Sequence, residues 1–107
     1  MNIDFYYWED CPSHGEALIR LRQVLEEENV TDAIAIHEVA TDEDALALQF
    51  PGSPTIRVNG ADIDPVGDRD DYSLACRVYR TSTGRITPLP PVDLIRDAIL
   101  AGKARAV

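Results

Sequence analysis

The pattern that most restricts this chain is a helix held between two short apolar runs. "IDFYYW" at 3–8 is apolar and aromatic and too short for a helix, which suits a buried strand. "AIAIHEV" at 33–39 reads as a second strand. Between them Ala17, Leu18, Leu21, Val24 and Leu25 recur at helical spacing. They predict a helix to about Glu28, with Pro12 at a first turn that tolerates proline. Two such strands joined by one helix pair in parallel through a right-handed crossover.

The rest of the chain extends this unit. Thr41 is a good N-cap for a short helix through "DEDALALQ", which "FPGSP" at 50–54 breaks. Asn59-Gly60 between "TIRV" (55–58) and "ADID" (61–64) is a strong signal for a two-residue type I′ hairpin. Residues 65–90, rich in Asp, Gly, Pro and Ser, form an irregular insert with one apolar island, "YSLACRVY". A last helix carries Leu94, Ile95, Ala98 and Ile99 on one face, with Pro91 near its start and Gly102 as its stop. The order β-α-β-α-β-β-α gives an α/β fold: a mixed four-stranded sheet flanked by helices. With neither repeats nor a linker, the 107 residues make one domain over 1–107.

Composition narrows the partners. Hydrophobic residues are 45% and charged residues 27%, ordinary for a soluble domain. No apolar stretch approaches the roughly 20 residues that span a membrane. "MNIDFYYWED" has neither the basic nor the apolar region of a signal peptide, so the expected location is cytoplasmic. A net charge of -9 repels phosphate backbones, which argues against a nucleic-acid partner. The acids are spread over "EEEN" (26–29), "TDED" (41–44) and "DRDD" (68–71) and read mainly as solvation.

Chemistry rests on two cysteines, Cys11 and Cys76, in a sequence that carries no cofactor motif. A purely structural disulfide is unusual in the cytoplasm, and two thiols alone do not close a zinc site. The alternatives are a redox pair, a soft-metal pair, or two unrelated buried thiols. Cys11 stands where the first strand meets the first helix, in "WEDCPSHG". Helix N–H groups there favour a thiolate, and His14 at i+3 can approach the sulfur, while Glu9 and Asp10 oppose the charge.

The motifs "YYWEDCP" and "GSPTIRVNG" are similar to the strand–helix junction and third-strand start of the thioredoxin/glutaredoxin fold. That resemblance covers most of residues 1–102. It implies a thioredoxin-like fold, a cis peptide before Pro54, and an active thiol at Cys11 facing that proline. Beside that implication, Trp8, Pro12, Ser53, Pro54, Thr55 and Arg77 are the candidate substrate-binding residues. The family's C-x-x-C spacing is absent, because its fourth place is His14. A second resemblance is to the catalytic core of alkylmercury lyase, where two cysteines far apart in sequence meet at one site. It matches Cys11 and the Cys76 of "ACRVYR" to those thiols, and puts His14 where that family has an aspartate.

The path of the chain leaves Cys76 two places. If the hairpin turns at Asn59-Gly60, the chain returns to the Cys11 edge near Asp64-Pro65. Cys76, eleven residues further, is then free to lie over Cys11, at up to about 3.5 Å per residue. A longer hairpin pairing 55–63 with 72–80 would carry it to the far end. In "LACRVY" Cys76 sits among apolar residues and is otherwise a core position. Arg77 and Arg80 are candidate cations for a thiolate or acidic substrate, or partners for carboxylates. His37 reads as structural, and Tyr6, Tyr7 and Trp8 as core and rim.

Three functions follow. The first is thiol–disulfide chemistry, with attack by Cys11, Cys76 as distant resolving thiol, His14 assisting, and a thiol or disulfide as substrate. The second is binding of a soft metal ion or organomercurial by Cys11, Cys76 and His14, or lyase-like activity. The third is a non-catalytic binding module.

Overall fold

A computed structural model describes residues 1–65 and 72–105. Its elements are β1 (Ile3–Tyr7), α1 (His14–Glu27), β2 (Ile34–Glu38), α2 (Asp42–Ala47), β3 (Thr55–Val58), β4 (Ala61–Asp62), β5 (Tyr79–Arg80), β6 (Ile86–Thr87) and α3 (Val92–Arg105). The fold is mixed α/β, and its main sheet has the order β2-β1-β3-β4. β1 and β2 run parallel with Ile3 opposite Ile34, as the intervening helix requires. β3 lies antiparallel to β1 with Phe5 opposite Ile56, and β4 folds back antiparallel on β3.

Strand alternation sets the core. Ile3 and Phe5 of β1 and Ile56 and Val58 of β3 share one face. They pack under Ala17, Leu21, Val24 and Leu25 of α1 and Ile95 and Ile99 of α3, all buried. A smaller cluster of Val39, Ala45 and Phe50, with Tyr6, Trp8 and Leu74 against it, seats α2. The Thr41 hydroxyl accepts the Asp44 amide at 3.1 Å and caps that helix. Asn59 and Gly60, at φ 52 and 84, make the tight turn between β3 and β4. Among the described residues no helix is long and apolar enough to cross a membrane.

Three expectations are corrected. Gly102 does not stop the last helix, which continues to Arg105. The glycine faces the sheet, where a Cβ would stand 2.8 Å from Val58 Cγ1, so its small size serves packing. The 65–90 insert is not wholly irregular, because β5 and β6 pair antiparallel within it. Pro12 precedes the helix, which starts at His14 behind an N-cap Ser13 that makes no side-chain capping bond. The "DRDD" run at 68–71 lies outside the described residues.

Candidate functional site

β1 and β2 end, and β3 begins, at one edge of the sheet, and the site is built there around Ser53. Gly52 approaches it at φ 137, with room for no side chain: a Cβ would meet Arg77 Cβ at 2.9 Å and Arg77 Cα at 3.1 Å. The Ser53-Pro54 peptide is cis. Thr55, buried beside it, donates its hydroxyl to the Gly52 carbonyl at 2.6 Å.

Every polar group of Ser53 is engaged. Its hydroxyl accepts the Trp8 amide at 2.9 Å, which fixes the end of β1. A tight turn follows, closed by the Cys11 amide on the Trp8 carbonyl at 3.0 Å. That turn places the Cys11 thiol to donate to the Ser53 carbonyl at 3.3 Å. From the other side, the Ser53 amide donates to the Ala75 carbonyl and its carbonyl accepts the Arg77 amide, each at 2.8 Å. Ser53 and Cys76 thus form a parallel bridge. The serine joins two segments distant in sequence and brings their cysteines together.

The two thiols are free and unequal. Cys11 is fully buried, whereas Cys76 is exposed. The Cys76 thiol is pushed up, first by its hydrogen-bonding neighbour Cys11, then by burial, then by charge on Cys11. Extended backbone explains the exposure. Side chains alternate, so Arg77 and Tyr79 point inward while Cys76, Val78 and Arg80 point outward. The apolar neighbours of Cys76 in sequence therefore do not make it a core residue.

Arg77 anchors this segment from beneath. Its guanidinium donates to both Asp62 carboxylate oxygens, at 2.9 and 3.1 Å, to Thr55 Oγ1 at 3.2 Å and to the Asp64 carbonyl at 2.6 Å. It stacks 4.6 Å over the Tyr79 ring, and its Nε has no partner among the described residues. The Tyr79 hydroxyl donates to the Pro54 carbonyl. Burial pushes the Tyr79 phenol far up, so it stays protonated as a donor, although the Arg77 charge pulls the other way. Arg77 is inside and paired, so here it acts as an anchor and not as an open cation.

The remaining expected residues spread around this centre. His14 stacks on Tyr7, ring centroids 4.7 Å apart. Among the described residues no three His, Cys, Asp or Glu side chains gather as a metal set, so His14 does not join the thiols as a third ligand. Trp8 is half-buried against the Phe50 cluster, and Pro12 and Arg80 are exposed. His37 pairs with Asp4 at 2.9 Å and stacks on Tyr6, a structural arrangement. Glu9 and Asp10, next to Cys11 in sequence, are exposed. Burial and then Glu38 and Glu9 push the Tyr7 phenol up.

Asp62, Tyr79 and Gly52 complete the site and were not singled out from the sequence. Alternation through "CRVYR" was the available signal for Tyr79; nothing local marks Asp62 as the partner of Arg77. Comparison with known proteins gives no matching protein family, no matching curated protein and no matching solved structure.

Proposed function

We propose that this is a thioredoxin-like thiol protein in which Cys11 and Cys76 form a dithiol–disulfide couple. The observation that carries the reading is their convergence on Ser53, one through its thiol and the other through a backbone bridge. The sheet order β2-β1-β3-β4 and the thiol after β1 support the thioredoxin-like part. In the reaction a disulfide substrate is reduced to two thiols while the two cysteines lose two electrons and two protons and join. The step passes through a mixed disulfide. The test is a thiol titration under native and denaturing conditions, before and after exposure to a small disulfide, with peptide mapping. The expected result is two thiols before, none after, and a Cys11–Cys76 crosslinked peptide. Two thiols that survive oxidation, or crosslinks only between molecules, overturn the reading and leave a binding module.

A second reading rests on the same pair. Two adjacent thiols, with no third ligand among the described residues, suit a soft cation that accepts two donors, such as Cu(I) or Hg(II). One metal per chain, lost in either single Cys→Ser variant, would support it.

A further inference from the structure

We infer that Cys76 receives the incoming disulfide and Cys11 resolves it, the reverse of the order expected from the position of Cys11 before a helix. The inference rests on the dithiol reading and adds the direction of attack.

Access is the first argument. A disulfide exchanges when a thiolate reaches one of its sulfurs in line with the bond that breaks. Cys11 has 0% of its surface exposed and lies under Ser53, whose carbonyl accepts a hydrogen bond from its thiol. Cys76 is exposed on the outer side of the same bridge, next to Val78 at 58% exposure. A reagent in solution meets Cys76 without movement, whereas reaching Cys11 requires local opening.

The second step also has a line of attack that fits this order. Once substrate is held on Cys76, three sulfurs are ordered from inside to outside: Cys11, Cys76, and the leaving sulfur in solvent. Attack by Cys11 on the Cys76 sulfur then expels the second thiol outward. The opposite order would seat the leaving group on Cys11, where Ser53 and the bridged 75–77 segment already lie.

Atoms balance in both steps. The Cys76 thiolate, its proton given to water, bonds one substrate sulfur and the first thiolate departs. The Cys11 thiol then gives its proton to water, its sulfur bonds the Cys76 sulfur and the second thiolate departs; the two departing thiolates take up the two protons. The raised Cys76 thiol slows the first step less than its smaller thiolate fraction implies. Each pKa unit returns about threefold in nucleophilicity.

The experiment uses Cys11→Ser and Cys76→Ser variants with a neutral dipyridyl disulfide whose released thiopyridone absorbs light. Cys11→Ser is expected to release one equivalent about ten-fold or more faster than Cys76→Ser, leaving a pyridyl adduct on Cys76. The full wild-type chain is expected to release two equivalents and keep no adduct. Equal rates, or a faster Cys76→Ser, overturn the order. A wild-type chain that stops after one equivalent with Cys76 capped sinks the dithiol couple while leaving Cys76 as the site of attack. Sub-stoichiometric iodoacetamide on the unaltered protein gives the same answer without a variant. Label mainly on Cys76 supports the order, and label mainly on Cys11 overturns it.

Discussion

The guanidinium of Arg77 lies buried against the carboxylate of Asp62, Nη1 to Oδ2 at 2.9 Å and Nη2 to Oδ1 at 3.1 Å. The pair holds the residue next to the exposed thiol onto the hairpin formed by β3 and β4. Removing one partner of a buried pair leaves an uncompensated charge. Asp62→Asn is therefore expected to destabilise the fold by about 2–3 kcal/mol, measured by urea unfolding. Asp62→Leu combined with Arg77→Met should cost less than Asp62→Asn alone, since it buries no orphan charge. A double variant as unstable as Asp62→Asn would show that the Arg77 contacts to Thr55 and the Asp64 carbonyl dominate instead.

Gly52→Ala tests the seat of the Cys76 segment. The new methyl would meet Arg77 backbone and Cβ atoms inside contact distance, at a positive φ that alanine rarely adopts. The expected result is a loss of about 2 kcal/mol or more and a slower Cys11–Cys76 crosslinking rate at matched thiol reactivity. Crosslinking at the wild-type rate would separate the seat from the pairing of the thiols.

Gly102→Ala sets two effects against each other. Helix propensity favours alanine by about 1 kcal/mol. Against it stands a Cβ 2.8 Å from Val58 Cγ1 and 3.2 Å from Met1 Sδ, and overpacking of this kind costs about 1–3 kcal/mol. Val58 is buried and β-branched, so it yields little, and a net loss of about 1 kcal/mol is expected by urea unfolding. A gain in stability would mean that α3 shifts along the sheet freely.

These positions also show what can be read from such a chain. The Asn59-Gly60 turn, the Thr41 cap and the parallel pairing of β1 with β2 were legible because each follows from local chemistry. The four-stranded sheet followed from their order. Gly102 was misread because a helix stop and a close-packed helix residue look alike without the strand beneath. β5 and β6 were missed because strands of two residues carry no periodicity. Cys11 and Cys76 were both singled out, yet their exposures were not legible. The inward turn of Arg77 depends on Asp62, and burying an arginine is rare enough that composition argues against it.

The pH profile of Cys76 alkylation isolates the influence of its neighbour. Cys11, as hydrogen-bonding neighbour and then as charge, keeps the Cys76 thiol protonated to higher pH than an ordinary cysteine. Cys11→Ala removes both effects, so the midpoint of the iodoacetamide rate should move to lower pH. The rate below the midpoint should rise correspondingly. An unmoved midpoint would mean that the two sulfurs do not interact.

Substrate charge should matter. The chain carries -9, and Glu9 and Asp10, next to Cys11 in sequence, are exposed. A diamine disulfide is expected to react about ten-fold faster than a dicarboxylate disulfide of similar size at low salt. The gap should narrow toward 1 M salt, where the screening length falls to about 3 Å. A ratio indifferent to salt would assign the preference to shape.

The meeting of positions 11 and 76 at one serine would tie any disulfide formed between them to the folding equilibrium. A covalent link there would close a ring of sixty-five residues, and the lost freedom of the denatured chain is worth about 4 kcal/mol. A pair spaced three residues apart closes too small a ring to do this. The surrounding redox poise would then set the stability of the native state, and a reductant would act on this chain as a mild denaturant does.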